Sequence, residues 1–272
     1  MSGTLYIVAT PIGNLEDITL RALRILKEVD RIACEDTRQT GKLLNYFGIS
    51  KPMLSFHEHN ERERTEELVG LLAAGENIAL VSDAGTPLIA DPGFRLVRLA
   101  RERSLPVCPI PGASAVMAAL SASGLTTDAF SFRGFLPVKE GQRRRAIEAC
   151  NLSETTIFYE APHRILEALT DIQAVLGPRT VVLAREITKL HEEFLTGAAE
   201  ELRSALASRP AIKGEFVILI AKGEAAPEVL TVQESVADLL RQGVPRMDAL
   251  KQVARRYGLS KREVYKQFDE HE

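Results

Sequence analysis

The sequence predicts an α/β protein: a two-domain body followed by a small helical domain. Short apolar runs alternate with helix-period segments from Leu5 to about Ser123, a rhythm typical of parallel strands joined by helices. After Gly124 the strand-like runs come closer together, and from about Val229 the composition is helical throughout. The expected domains are residues 1–124, 125–224 and 228–272.

Size and composition exclude several classes of protein. The chain has 272 residues, of which 45% are hydrophobic and 26% are charged, as in soluble globular proteins with a sizeable core. No apolar run approaches the roughly 18 residues of a membrane span, and the N-terminal stretch does not resemble a signal peptide. The three cysteines are widely spaced and form no CxxC, so we expect no disulfide framework, no zinc site and a reducing cytoplasm. The net charge of −3 argues against a uniformly basic nucleic-acid binder, although a local basic patch can still exist.

The first domain contains five strand-like runs, each followed by a helix-period segment. The runs are LYIVA, RIACED, MLSFHE, NIALVS and VCPIPG. Helices are expected near residues 18–29, 38–47, 61–74, 93–103 and 113–123. Parallel strands end at one edge of their sheet, so the loops that follow them are expected to lie together and to bind a ligand.

The second domain is expected to hold a partly antiparallel sheet. Its strand-like runs are TTIFYEA, TVVLARE, HEEFLTG and GEFVILIA, and the last three lie close together in the chain. Before them, FSFRGFLP leads into the charged stretch VKEGQRRRAIE, which is typical of an exposed connection between two units.

The C-terminal segment predicts a helix, a glycine turn and a second helix. The break falls at Gly258, and Ser260 and Glu263 have the spacing of a capping box. Between Arg241 and Lys266 there are eight Lys or Arg residues against two acidic ones. A basic helix-turn-helix is a candidate nucleic-acid contact, and the alternative is a solvated bundle packed on the core.

Three glycine-containing loops follow strands of the first domain: ATPIGNLED, VSDAGTPLIADPG and PIPGASAV. Glycine lets backbone approach a ligand closely, and proline limits the shape of a loop. Asp83 could also pair with a cation. One such loop would more often be structural, but three at equivalent strand ends indicate a nucleotide or cofactor pocket. The chain contains neither the P-loop pattern nor GxGxxG, which disfavours kinase-like chemistry and ordinary NAD binding.

The motifs in these loops resemble those of a known family. CEDTR, SFHEHNE, VSDAGTPLIADPG, PIPGASA, FYEAPHRI and LAREITKLHEEF occur in the order found in the ribosomal small-subunit methyltransferase I family, which is tetrapyrrole-methylase-like and belongs to the class III methyltransferases. The resemblance covers essentially the whole chain. It implies 2′-O-methylation of a cytidine in the decoding region of 16S ribosomal RNA, with S-adenosylmethionine in a cleft between two α/β domains. It also implies a homodimer without a membrane and a C-terminal helix-turn-helix that helps to hold RNA.

The resemblance also implies which residues contact S-adenosylmethionine. Thr86 stands where the wider family has Asp, so the side-chain contact of that Asp is not carried over. The expected cofactor residues are Ile12, Gly13, Asp83, Gly85, Thr86, Ile89, Ser114, Ala115, Tyr159 and Gly214.

The catalytic base is not defined by the resemblance. Methylating a ribose hydroxyl requires the oxygen to be aligned behind the sulfonium methyl, and a base need only help to remove the proton, so no metal or covalent nucleophile is required. Polar residues at predicted strand ends are candidates: Glu35, Asp36, Arg38, His57 and Asp83, with Glu58 and His59 beside them.

Each polar motif also has a structural interpretation. CEDTR could be a salt-bridge cluster, and HEHN could hold a metal, contact RNA phosphate or be structural. His163 and Arg164 could meet an anion at a helix N-terminus or lie on an ordinary surface. Arg143–Arg145 is expected to face solvent and could contact RNA backbone.

Three functions compete on this evidence. The first is an RNA 2′-O-methyltransferase that acts on an assembled or nearly assembled small subunit. The second is a methyltransferase for tetrapyrrole precursors or for a modified histidine of a translation factor, which the basic tail and the lack of an evident macrocycle-sized aromatic lining disfavour. The third is a non-catalytic nucleic-acid-binding regulator, which the three pocket loops disfavour.

Overall fold

The computed structural model describes residues 2–150, 153–223, 231–241 and 243–269. Contacts group Met1–Gly223 in one compact unit and Glu224–Glu272 in another. The expected domain limits at 224 and 228 fall on residues outside the described ones. The division near Leu125 remains a prediction, and the two sheets of the first unit lie on either side of it.

The first sheet is wholly parallel, as the alternation of strands and helices predicts. Its strands follow the order β3-β2-β4-β1-β5 across the sheet. The strands are β1 (Leu5–Val8), β2 (Arg31–Cys34), β3 (Met53–Ser55), β4 (Ile78–Val81) and β5 (Val107–Ile110). The helices are α1 (Leu20–Glu28), α2 (Thr37–Tyr46), α3 (Glu61–Ala73), α4 (Phe94–Glu102) and α5 (Ala115–Ala122).

The apolar pattern explains why these segments form a sheet covered on both faces. All four residues of β4 are buried, which is the pattern of a central parallel strand between two layers of helices. Alternate residues of β4 join different apolar clusters, with Ala79 in one and Leu80 in the other. The Thr19 side chain caps α1 by accepting a hydrogen bond from the Ala22 amide at 3.0 Å, which explains why the helix begins at Leu20.

The second sheet is mixed, as expected. Its order is β6-β7-β10-β8-β9, with β6 and β7 parallel and the other neighbours antiparallel. The strands are β6 (Phe130–Phe135), β7 (Thr155–Glu160), β8 (Thr180–Arg185), β9 (Glu193–Ala198) and β10 (Phe216–Ile220), and the helices are α6 (Glu140–Glu148), α7 (Ile165–Leu176) and α8 (Ala199–Ala207).

The expected exposed connection before β7 is wrong. The stretch FSFRGF forms strand β6, and the charged stretch after it forms helix α6. Arg143 is only 4% exposed because its Nε donates to Asp171 Oδ2 at 2.6 Å, and Arg144 Nε donates to the other oxygen of Asp171 at 2.7 Å. A run of arginines therefore turns one side chain inward to a buried carboxylate, whereas Arg145 is exposed.

The C-terminal unit contains helices α9 (Val232–Arg241), α10 (Arg246–Tyr257) and α11 (Lys261–Asp269). Gly258 ends α10 in the left-handed conformation at φ 65°. The predicted capping box is confirmed, since the Ser260 amide donates to Glu263 Oε2 at 2.7 Å and the Glu263 amide to Ser260 Oγ at 3.3 Å. Within the described residues, none of the helices combines the length and the apolar character needed to cross a bilayer.

Candidate functional site

The three glycine-containing loops lie side by side because β4, β1 and β5 are neighbours in the first sheet. The Thr10 amide donates to the Gly85 carbonyl at 2.8 Å, and the Gly85 amide donates back to the Thr10 carbonyl at 3.0 Å. Thr86 Oγ1 donates to the Ala113 carbonyl at 3.1 Å. These bonds join the loop after β4 to the loops on both sides, so Thr86 has a structural role besides any contact with a ligand.

A cavity of about 400 Å³ lies where these loops face the second sheet. This volume falls within the range of small-molecule sites, about 300–1,000 Å³. Eight of the ten residues expected to contact the cofactor line it: Ile12, Asp83, Gly85, Thr86, Ile89, Ser114, Ala115 and Tyr159.

Gly13 and Gly214 do not line the cavity, and the turn between β8 and β9 explains why they are glycines. A Cβ atom on Gly13 would collide with the side chain of Lys189, and one on Gly214 would collide with that of Glu186. Lys189 Nζ donates to Glu186 Oε1 at 2.8 Å and to Glu215 Oε2 at 3.0 Å. The two glycines therefore make room for a salt-bridged turn whose partner, Glu215, lines the cavity.

Strained backbone carries part of the lining. Leu88 and Ala90 have φ values of 72° and 69°, a region that residues with a Cβ atom rarely adopt. Each such residue costs on the order of 1–3 kcal/mol and persists only where its surroundings determine it. The two flank Ile89, which is 42% exposed and lines the cavity. The loop thus holds an apolar side chain at the site instead of in the core.

The lining is acidic. It contains Asp83, Asp91, Glu160 and Glu215, and none of the described residues that line it is a lysine, an arginine or a histidine. Burial raises the pKa of Asp91 to about 6, with a further contribution from the charge of Glu35. Burial also raises the pKa of Glu35, and the charge of Asp83 adds to this shift. Glu160 pairs with Arg164 and Glu215 with Lys189, so Asp83 and Asp91 are the lining carboxylates that favour a ligand carrying positive charge.

Tyr159 and two phenylalanines form an aromatic group beside the cavity. The ring of Tyr159 lies 4.8 Å from that of Phe132 and 5.4 Å from that of Phe135, measured between centroids. Burial raises the pKa of Tyr159 to about 12, and the negative charge of Asp91 contributes. Tyr159 therefore stays neutral at physiological pH and provides a surface for an apolar or aromatic part of a ligand.

Of the catalytic candidates, only Asp83 lines the cavity. Asp36 caps α2, since its Oδ1 accepts from the Arg38 amide at 2.8 Å and its Oδ2 pairs with Arg38 Nη2 at 2.8 Å. These bonds lower the pKa of Asp36 to about 2. Asp83 Oδ1 accepts from the Asp36 amide at 3.2 Å, which connects this cap to the cavity edge. The arrangement matches the salt-bridge interpretation of CEDTR for Asp36 and Arg38, while Glu35 lies close enough to raise the pKa of Asp91.

The histidines of HEHN lie outside the strand on which the metal hypothesis depends. β3 ends at Ser55, and the His57 amide donates to Asn60 Oδ1 at 2.8 Å in the following turn. The rings of His57 and His59 lie 5.9 Å apart. Among the described residues, no group of three or more His, Cys, Asp or Glu side chains is placed to hold a metal ion.

Arg164 is engaged within the fold and does not extend toward an external anion. Its Nε donates to Glu160 Oε1 at 2.7 Å and its Nη2 to the Leu136 carbonyl at 2.6 Å. Its side chain is 14% exposed, and that of Glu160 is fully buried. His163 is exposed.

Sequence reasoning missed several lining residues. Asp91 belongs to the quoted VSDAGTPLIADPG loop and Glu160 to YEAPHRI, so their motifs were recognised but not these side chains. Glu215 follows the proposed Gly214 directly. Phe135 had no signal, because FSFRGFLP was not among the predicted strands and preceded the stretch predicted to be a connection.

Comparison with known proteins shows the family. The sequence model of the tetrapyrrole (corrin/porphyrin) methylase family matches residues 4–203 of the chain. The chain is 48% identical to ribosomal RNA small subunit methyltransferase I of Halalkalibacterium halodurans, over 97% of this chain and 93% of the relative. It is also 48% identical to the protein of the same name from Haemophilus influenzae, over 97% of this chain and 96% of the relative.

Solved structures share the fold at low sequence identity. A diphthine synthase aligns with a TM-score of 0.62 and 17% identity over 81% of this chain and 90% of that chain. A uroporphyrin-III-C-methyltransferase from Thermus thermophilus aligns with a TM-score of 0.57 and 19% identity, over 81% and 94%. Two α/β sheets that share a ligand cavity are the architecture of the class III methyltransferases. The chain belongs to the tetrapyrrole methylase family, and within it to the ribosomal RNA small subunit methyltransferase I group.

Methyltransferases of this family use S-adenosylmethionine, and the cavity fits that donor in three respects. Ile12, Ile89 and Val217 offer apolar contacts to an adenosine, and the carboxylates of Asp83 and Asp91 suit a sulfonium and an ammonium group. Gly85, with a φ of 87°, lines the cavity without a side chain, which allows a ligand to approach the backbone of the loop after β4. When bound, the donor supplies an electrophilic methyl group. The chain binds and orients it and limits its exposure to water.

Proposed function

We propose that the chain methylates the 2′-oxygen of a cytidine ribose in the decoding region of 16S ribosomal RNA. The observation that carries this proposal is the 48% identity, over 97% of the chain, to proteins named ribosomal RNA small subunit methyltransferase I. The choice of cytidine and of its 2′-oxygen rests on the resemblance of the pocket motifs to that family. The expected acceptor is the small ribosomal subunit in the cytoplasm, and the expected assembly is a homodimer.

The proposed reaction forms a bond between the ribose oxygen and the methyl carbon while the bond from that carbon to sulfur breaks. The hydroxyl proton passes to a base. Asp83 and Asp91 are the candidates on the loop after β4, because both line the cavity. A general base works best when its pKa lies near the working pH, and the pKa of Asp91 is raised to about 6. Positioning of the oxygen supplies much of the acceleration.

The C-terminal unit is proposed to hold RNA. Arg255, Arg256 and Arg262 are exposed on its helices, where they could contact phosphates. Arg246 serves the unit itself, because its guanidinium lies 5.4 Å from the ring centroid of Phe268 and so links α10 to α11.

The test is transfer of labelled methyl from S-adenosylmethionine to small subunits from cells that lack this protein. Naked 16S RNA is assayed beside them, and the labelled nucleoside is identified after digestion. The proposal expects 2′-O-methylcytidine in subunits. Label on a nucleobase, or on a tetrapyrrole precursor and not on RNA, would refute it.

A further inference from the structure

Phe135 is an exposed aromatic side chain at a ligand cavity. It is the last residue of β6, it is 57% exposed, and it lines the cavity together with the partly buried Tyr159. Single exposed apolar side chains are common on protein surfaces, but an exposed aromatic ring in the lining of a ligand cavity can contact what the cavity binds. The apolar contacts assigned to the donor involve Ile12, Ile89 and Val217 and leave Phe135 without an assigned role.

A bulge in β6 brings Phe135 to its position. Phe132 pairs with Ile157 and Phe135 with Tyr159, so three steps on β6 correspond to two on β7. The extra residue accompanies Gly134, whose φ of 70° is available to glycine at little cost. Bulges change the direction of a side chain and are common beside active sites. Without the extra residue, Phe135 would fall out of register with Tyr159.

Two buried ion pairs hold the backbone that follows Phe135. The Leu136 carbonyl accepts from Arg164, which pairs with the buried Glu160. Two residues on, the Val138 carbonyl accepts from Arg143 Nη1 at 3.1 Å, and Arg143 pairs with Asp171. Burying ion pairs carries a large desolvation cost, so these pairs are poor evidence of a gain in stability. They order the segment that presents the exposed ring.

We propose that Phe135 is a stacking platform for the nucleobase of the nucleotide that is methylated. This inference rests on the proposed function, because it requires an RNA acceptor. In this proposal the target nucleotide leaves the stack of its neighbours when its ribose hydroxyl enters the cavity, and the Phe135 ring replaces the lost stacking. Phe135 belongs to the second sheet, whereas the glycine-containing loops of the cavity follow strands of the first sheet. The platform recognises an unstacked base, and stacking alone tolerates any base.

The experiment compares Phe135→Ala, Phe135→Trp and Phe135→Leu in the full-length protein. Methyl transfer to small subunits gives kcat and KM, and calorimetry gives the Kd for S-adenosylmethionine. The matched control is Phe130→Ala, at the other end of β6, where the ring is 39% exposed and does not line the cavity. Thermal unfolding of each variant checks the fold.

We expect Phe135→Ala to lower kcat/KM for the subunit by about tenfold or more, because base stacking on an aromatic side chain has an effect of that size. The donor Kd should stay within about twofold, Trp should restore transfer, and Leu should not. Three results would contradict the stacking role of Phe135. They are wild-type activity in Phe135→Ala, equal activity of the Leu and Trp variants, and a loss of donor affinity in Phe135→Ala as large as its loss of methyl transfer. If the wild-type protein transfers no methyl to RNA, the proposed function fails and the platform fails with it. If wild type transfers but Phe135→Ala is unaffected, only the platform fails.

Discussion

Glu160 and Arg164 form an ion pair beside the cavity, where the carboxylate is fully buried and the guanidinium is nearly so. Glu160 Oε1 accepts from Arg164 and also from the Ala161 amide at 2.7 Å. Removal of one partner from such a pair leaves an uncompensated charge inside the protein. The lining residue Glu160 therefore depends on Arg164, which does not line the cavity.

Arg164→Ala is expected to lower the free energy of unfolding by about 3–5 kcal/mol, since Glu160 would keep a buried charge without its counter-ion. The measurement is urea denaturation at neutral pH. The control is Arg24→Ala, which breaks the exposed pair of Arg24 with Glu28 and should change stability by no more than about 1 kcal/mol. Similar losses in both variants would contradict the assignment of a buried pair.

Asp91 predicts a pH dependence of stability. Its pKa is about 6 in the folded protein against an ordinary value of 3.8. Between these values the native state binds more protons than the unfolded state, so stability falls as pH rises from about 4 to about 6. Asp91→Asn should remove this contribution. Between pH 4 and 7, the urea concentration at the unfolding midpoint should rise for the variant relative to the wild type as pH rises. If the difference between the two midpoints does not change with pH, the pKa of Asp91 is not raised.

At the scale of elements, the loop after β4 determines whether a donor can bind. Gly85 has a φ of 87°, and a Cβ atom there would lie 3.3 Å from Ile12 Cγ2, a residue of the cavity lining. The reciprocal bonds with Thr10 leave this loop little freedom to shift.

Gly85→Val is expected to abolish measurable binding of S-adenosylmethionine, because its side chain strains the backbone and presses on the lining. Calorimetry measures the binding. Gly48→Val is the control: Gly48 has a similar φ of 64°, and a Cβ there meets nothing within 4 Å. It should lose stability but keep its affinity. Unaltered affinity in Gly85→Val would remove this loop from the site.

Deletion of residues 229–272 should leave the affinity for the donor nearly unchanged and should weaken subunit binding. The loss of subunit affinity should be larger at lower salt concentration, because contacts with phosphate release counterions. Binding is measured at several salt concentrations. The double variant Arg255→Ala, Arg256→Ala keeps the unit and so controls for its complete loss. If both residues contact phosphate, the slope of log K for subunit binding against log salt concentration should fall by about two. Equal subunit affinity after truncation would exclude an RNA role for this unit.

At the scale of the whole molecule, the pattern of apolar and polar residues in the sequence predicts the strands and helices well and the partners of individual side chains poorly. The parallel sheet, the mixed sheet and the Ser260 capping box follow from local spacing, and the three loops meet because parallel strands end at one edge. The inward turn of Arg143 could not be predicted, because its partner Asp171 lies 28 residues away in the chain. The bulge that places Phe135 depends on pairing with β7, which the sequence of β6 alone does not reveal.

The most direct measurement is transfer of labelled methyl to small subunits by the wild-type protein, Gly85→Val and Gly48→Val side by side. A cavity that positions a methyl donor for RNA predicts 2′-O-methylcytidine with wild type and with Gly48→Val, and none with Gly85→Val. Label at full rate with Gly85→Val, or donor binding by wild type without any label in RNA, would contradict it.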